Sequence, residues 1–174
     1  MQDVEVCKYS EEFIKSSAIE WLNERGVEIE DIIPLVIYLQ KDYYPELTPE
    51  KCREQIEAVL NKREVQNAIL TGIQLDILSE QKVLREPLQC ILEIDEGLYG
   101  IDEILALSIL NIYGSIGFTN YGYIDRVKPG ILEKLNNKSS GKVHTFLDDI
   151  VGAIAAAAAS RLAHSYKREI DNHL

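Results

Sequence analysis

VHTFLDDIVGAIAAAAAS, residues 143–160, places two adjacent acids, Asp148 and Asp149, where the most apolar helix of the chain begins. Asp148, Gly152, Ala156 and Ser160 recur every four positions and share one helix face. The small residues in that series let another helix backbone come close, so the face is packed and Asp148 points inward or along an inward-facing rim. Asp149 is turned by about 100° from its neighbour, toward Gly152 and Ala153. The pattern predicts a helix from near Thr145 to about Lys167.

Other helices are predicted on both sides of what precedes it. Ser10, Glu11 and Glu12 suit a helix start, and Gly26 suits its end. A second helix carries Ile29, Ile32, Ile33, Val36 and Leu39, with Pro34 expected in its first turn. Thr48 and Pro49 read as N-cap and first helical position of a third, whose stripe is Cys52, Ile56, Val59 and Leu60. Asn61 with Glu64 has the form of a capping box for a fourth. Pro87 starts a short fifth, bounded by Gly97 and Gly100. IDEILALSILNIYG, from residue 101, has only Ser108 polar between Ile104 and Leu110 and is therefore expected to be the central helix, buried on all sides. GSIG reads as a turn, FTNYGYIDRVKPG as a shorter helix stopped by Pro129 and Gly130, and NNKSSGK as a polar loop. Alternation over strand lengths is absent, and VEVCKY at the start is at best an arm. The expected fold is an all-α helical bundle, one domain over residues 1–174.

A net charge of −11 opposes binding to nucleic acid, because a phosphate backbone would be repelled over most of the surface. The same carboxylate excess is compatible with Mg²⁺ or Mn²⁺, which prefer hard oxygen ligands. Cys7, Cys52 and Cys90 are an odd number without a C-x-x-C pair, which fits a reduced, cytoplasmic protein better than a disulfide framework or zinc site. The N-terminus lacks a basic region followed by an apolar one, so no signal peptide is expected. The apolar run Ile150–Ala159 is far shorter than the ~20 residues of a membrane-spanning helix.

Asp102 and Glu103 open the 101–114 helix much as Asp148 and Asp149 open the last one. A carboxylate withdrawn from water without a partner costs several kcal/mol, so four acids at two packed helix mouths call for a cation. A plainer account stands beside this one. Thr145-Phe146-Leu147-Asp148 fits the Ser/Thr-x-x-acid form, so capping is the favoured role of Asp148 taken alone, and Asp102 can serve the helix dipole. No cap needs Asp149. Asp125 is a fifth acid, and it either forms an i, i+3 ion pair with Lys128 or completes a metal site while Lys128 meets a phosphate.

IDEIL, YIDRVKPGIL and HTFLDDIVGAI, in that order, resemble the phosphatidylglycerophosphatase A family, in particular its soluble YutG-like and low temperature requirement C-like branch. The matching residues are Asp102 and Glu103, then Asp125, Lys128 and Pro129, then Gly141, Asp148 and Asp149, and they span roughly Leu98 to Arg161. The resemblance implies an all-helical Mg²⁺-dependent phosphatase acting on the phosphomonoester of phosphatidylglycerophosphate. It implies that Asp102, Glu103, Asp125, Asp148 and Asp149 hold one or two Mg²⁺ ions, with Asp149 as base and Lys128 neutralising the transferring group. Lys142, with Lys138 and Gly141, is a candidate to fold over the phosphate, although a polar connecting loop is the plainer role for that stretch.

Two other readings remain. A soluble helical binding or oligomerisation module could keep the acids without turnover, since the family's F-G-S-G and P-G-T signature has no counterpart here and the surface charge suits anionic membranes poorly. Alternatively the acids cap and pair, with no metal. Trp21, Tyr43, Tyr44 and the apolar stripes of the first three helices exceed what a small bundle must bury, which predicts a homodimer.

Overall fold

Ser10 begins the helical run as the sequence predicts: its Oγ accepts a hydrogen bond from the Phe13 N–H at 3.1 Å and opens α1 (Glu11–Glu24). The structure, a computed structural model, describes residues 8–172, so the expected N-terminal arm falls almost wholly outside them. The left-handed Gly26 (φ +80°) turns the chain into α2 (Ile29–Gln40), whose first turn is tied by the Glu28 N–H donating to Asp31 at 2.9 Å. Pro34 is the sixth residue of α2, beyond the first turn where it was expected. Its ring removes one backbone donor, yet the helix continues because Ile32, Ile33, Leu35, Val36 and Leu39 are all buried.

Thr48 caps α3 (Pro49–Leu60) by accepting from the Lys51 N–H, and the predicted stripe of Cys52, Ile56, Val59 and Leu60 is buried. The expected Asn61–Glu64 capping box does not form. Asn61 is used to end α3, and α4 (Arg63–Glu80) starts from Lys62 with no side-chain cap. α5 (Leu88–Ile94) ends at Asp95 in the left-handed region (φ +53°). α6 (Ile101–Leu110) leads into α7 (Gly114–Val127), so GSIG is the first turn of a helix and not the free turn expected. Lys128 (φ +48°) ends α7, followed by α8 (Ile131–Leu135), a 3-10 turn at 138–140 and α9 (Leu147–Asn172).

The central helix is α9, not α6. From Phe146 to Ser160 every residue of this stretch is buried, and α2, α3, α4, α6, α7 and α8 all pack against it. Alanine makes this possible, because side chains one carbon long allow surrounding helices to approach on all faces at once. Gly152 faces α7 in this packing: a Cβ there would make ordinary contact, at 3.7 Å, with both Ile124 Cγ2 and Tyr121 Cε2. At the far end of the same face, Ser160 donates to the Tyr113 carbonyl at 2.9 Å.

α6 is apolar all round for another reason. It buries Ala106, Ile109 and Leu110 but leaves Ile101 and Ile104 more than half exposed, as are Leu98 before it and Ile112 after it. The apolar stripes of α1 to α3 are largely consumed within the chain: Tyr44 is buried and stacks on Tyr166, Trp21 packs against the core, and Tyr43 remains exposed. Among the described residues there is no strand, and no helix is long and apolar enough to cross a membrane.

Candidate active site at three helix ends

The N-terminus of α9 is held in place by a residue that the sequence reading passed over. Asp76, fully buried on α4, accepts from the Phe146 N–H through Oδ1 and from the Leu147 N–H through Oδ2, each at 3.1 Å. One carboxylate thus satisfies two of the donors a helix start leaves open. Burial pushes its carboxyl well above the usual range, against the pull of those two bonds and of Arg25. The Thr145–Asp148 capping box is consequently not formed: Thr145 Oγ1 donates to the Leu92 carbonyl at 2.8 Å. Asp148 and Asp149 are left free of capping duty.

Three helix ends meet here. α9 contributes Asp148 and Asp149, the start of α6 contributes Asp102 and Glu103, and the end of α7 contributes Asp125 and Lys128. All six residues line one small polar cavity of about 120 Å³. Lys128 Nζ lies at the focus, 2.6 Å from Asp125 Oδ1, 2.7 Å from Asp148 Oδ2 and 3.4 Å from Asp149 Oδ1. Its backbone sits in a left-handed conformation that a lysine adopts only when its surroundings hold it there. Of the four acids at the two helix mouths the ammonium thus reaches Asp148 and Asp149 but not Asp102 or Glu103, and the i, i+3 pair Asp125–Lys128 exists. Among the described residues, no group of three acidic, histidine or cysteine side chains stands ready-made as a metal site.

The electrostatics are those of a crowded, half-dry cluster. Burial raises the Asp148 carboxyl above the ordinary range, with the Lys128 ammonium opposing it. Burial, then the charges of Asp148 and Asp125, raise Asp149 further, again against Lys128. Burial lowers the Lys128 ammonium, but its three carboxylates outweigh that and hold it firmly charged. Asp102 is raised by burial, and its Oδ1 is enclosed without any hydrogen-bond partner in the chain. Glu103 is exposed at the rim.

Lys142 is not among the residues of this cavity. It lines a neighbouring one, together with Lys138, Gly141 and His144. Sequence reasoning also missed Asp95, which joins the acidic cavity from the end of α5, and Tyr121, buried on α7 with its hydroxyl unpartnered and four acids around it. Asp76 carried a legible signal, since it interrupts the stripe of Ile69 and Ile73 at helical spacing. Tyr121 lies one turn ahead of Asp125, and in Asp95 nothing distinguishes it from any loop acid.

A family model described as phosphatidylglycerophosphatase A matches residues 19–164. The chain is 70% identical over 143 residues to YutG of Bacillus subtilis (strain 168), covering 82% of this chain and 86% of the relative, and 58% identical over 148 residues to YpjQ of the same organism, covering 85% and 83%. Both relatives are described as uncharacterized proteins. The crystal structure of the low temperature requirement C protein from Listeria monocytogenes superposes with a TM-score of 0.87 at 68% identity, over 88% of this chain and 97% of that one.

Proposed function

Since the chain belongs to the phosphatidylglycerophosphatase A family, we propose that it is a Mg²⁺-dependent phosphomonoesterase acting on phosphatidylglycerophosphate or a related phosphate ester. The observation that carries the reading is the convergence of six carboxylates and one lysine, from four separate elements, on a single cavity. Chance surface acids would be solvated individually; Asp148 and Asp149 are more than nine-tenths buried.

The donor set suits the proposed ion. Carboxylate oxygens are the hard ligands that Mg²⁺ prefers, and the enclosed, unpartnered Asp102 Oδ1 is a ligand in search of a cation. Asp102, Glu103, Asp125, Asp148 and Asp149 would hold one or two ions, and the ion's part would be to polarise the phosphoryl group and acidify a bound water. The residues do the rest. Asp149, whose carboxyl is raised by burial, would accept the proton of the attacking water. Lys128 would turn from its carboxylates to the transferring group and neutralise the charge that builds there. Helix starts at α6 and α9 add fixed partial positive charge close to that centre.

A screen of phosphate esters, including phosphatidylglycerophosphate in detergent, with Mg²⁺ present and absent, tests the proposal. Metal-dependent phosphate release that Asp149→Asn abolishes, with the helical circular-dichroism signal kept, is the expected result. Metal binding without release from any ester would favour the second reading, a non-catalytic helical binding or oligomerisation module. That reading draws on the missing F-G-S-G and P-G-T signature and on a surface charge of −11 that suits anionic membranes poorly. A homodimer and a cytoplasmic location complete the proposal, and a monomeric mass in sedimentation at micromolar concentration would remove the former.

A further inference from the structure

The end of α2, the early turns of α7 and the late turns of α9 enclose a cavity of about 280 Å³ that shares no residue with the acidic one. At 1.5 Å per residue, Ala163 in its lining lies about 20 Å along α9 from Asp149. Three tyrosines build its walls. Tyr44 is buried and stacks on Tyr166 with ring centroids 4.3 Å apart, and Lys51 Nζ donates to its hydroxyl at 2.7 Å, so the pair is held in place. Tyr43, the next residue back along the chain, is 74% exposed. Ile116 and Ala163 complete the apolar part of the lining.

Against these walls stand two carboxamides without partners. Gln40 is 4% exposed, and its side chain makes no hydrogen bond among the described residues. Asn120 Nδ2 is enclosed and likewise unpartnered. A hydrocarbon occupant would leave both amides unpaired, at a cost that a hydrogen-bonding ligand removes. Among the described residues no charged side chain lines this cavity, so it offers a bare ion no counter-charge. A neutral flat ring whose edge carries a donor beside an acceptor meets every requirement, because a carboxamide presents the reciprocal pair. A nucleobase has both that edge and a face on which aromatic side chains stack, and adenine pairs in this way with Asn or Gln.

A second cavity, of about 430 Å³, adjoins the first through Tyr43 and Asn120, which line both. Its chemistry is more polar. Lys41, Asp42 and Thr119 bring an ammonium, a carboxylate and a hydroxyl, beside the stacked rings of Tyr38 and Tyr123. A carboxylate accepts from both hydroxyls of a ribose diol. Base chemistry followed by sugar chemistry along one cleft is the order of a nucleoside. The net charge of −11 opposes polyanions but leaves an uncharged nucleoside unaffected.

We propose that this cleft between α2, α7 and α9 is a binding site for a nucleoside. The base stacks on Tyr43 and Tyr166 and pairs with Gln40 and Asn120, while the ribose hydroxyls donate to Asp42. The site is separate from the acidic cavity and independent of the phosphatase reading.

Calorimetric titration of the full chain with adenosine, with free ribose, and with the dideoxy analogue that lacks the ribose diol tests this. Adenosine should bind saturably, the dideoxy analogue more weakly, and ribose not at all at the same concentrations. Tyr43→Ala, at an exposed position, and Gln40→Leu, which removes an unpaired buried amide and so spares the fold, should each weaken adenosine about tenfold or more. Asp42→Ala should weaken adenosine and leave the dideoxy analogue unchanged, and Asp149→Asn in the acidic cavity should change neither. The wild type supplies a readout that no variant's folding can disturb: saturating the tyrosine ring protons by NMR should attenuate the ring protons of bound adenine. Absence of adenosine binding at millimolar concentration, ribose binding as well as adenosine, equal affinity in the wild type and both cavity variants, or no transfer from tyrosine to adenine overturns the proposal.

Discussion

Lys128 is the residue on which the acidic cluster balances, because one ammonium compensates three carboxylates that are mostly removed from water. Lys128→Met leaves them facing one another, and breaking a buried pair typically costs about 3–5 kcal/mol. A thermal melt should show that loss at neutral pH without divalent ions and a larger recovery on adding Mg²⁺ than the wild type gives, since ion and ammonium compete for the same oxygens. If Mg²⁺ rescues neither protein, the acids are not a metal site. Glu80 makes a separate prediction. Its burial would raise it, but the Arg25 guanidinium at 2.6 Å and the Val143 N–H at 2.8 Å outweigh burial and depress it below its usual 4.5. A depressed acid contributes stability that is present above 4.5 and lost as pH falls through the lower folded value. Glu80→Gln should therefore lower the unfolding free energy measured by urea titration at pH 7 by about 1.5–3 kcal/mol, and flatten its decline below pH ~4.5. At this scale the sequence was readable where acids stood in motifs, as at Asp102, Asp125, Asp148 and Asp149. It marked Asp76 as an acid interrupting an apolar stripe but was silent on its partners, because Phe146 and Leu147 lie far along the chain.

The helices themselves were legible from caps and periodicity, whereas their places in the bundle were not. Ser10 and Thr48 act as the read N-caps because capping is a local event. The exchange of roles between α6 and α9 is not local. An apolar surround signals burial only if neighbours are available to cover it, and α6 keeps Ile101 and Ile104 outward, while the plain alanines of α9 admit helices on every side. Gly72 of α4 records how close those helices come. A methyl group there would stand 2.9 Å from Phe146 Cβ and 3.3 Å from Leu105 Cδ2, and nearer still to the Ile150 side chain. Gly72→Ala gains helix propensity worth up to about 1 kcal/mol, but the overpacking costs about 1–3 kcal/mol. The sum should be destabilising, read as a lower denaturant midpoint with an unchanged slope; a stabilised variant would mean that α4 and α9 have room to part.

Across the whole molecule, one helix touches nearly everything else, and its two ends do different work. The alanine stretch organises packing, and the start of the same helix delivers Asp148 and Asp149 to the acidic cavity, so the geometry of that cavity and core integrity share a single element. Native-state hydrogen exchange should show the amides of residues 150–160 opening only with complete unfolding, while those of the 136–144 loop exchange early. Equal protection in the two would contradict the central place of α9. That place has a consequence for biosynthesis. The ribosome works from the N-terminus, so α1 to α8 emerge before the strut they are built around. Until α9 follows, α1 with α4 and α2 with α3 can pair but have no common axis. The nascent chain must wait with much of its oily surface uncovered, a natural moment for chaperone capture, and a stop codon ahead of residue 147 should yield a product that aggregates instead of a smaller folded protein.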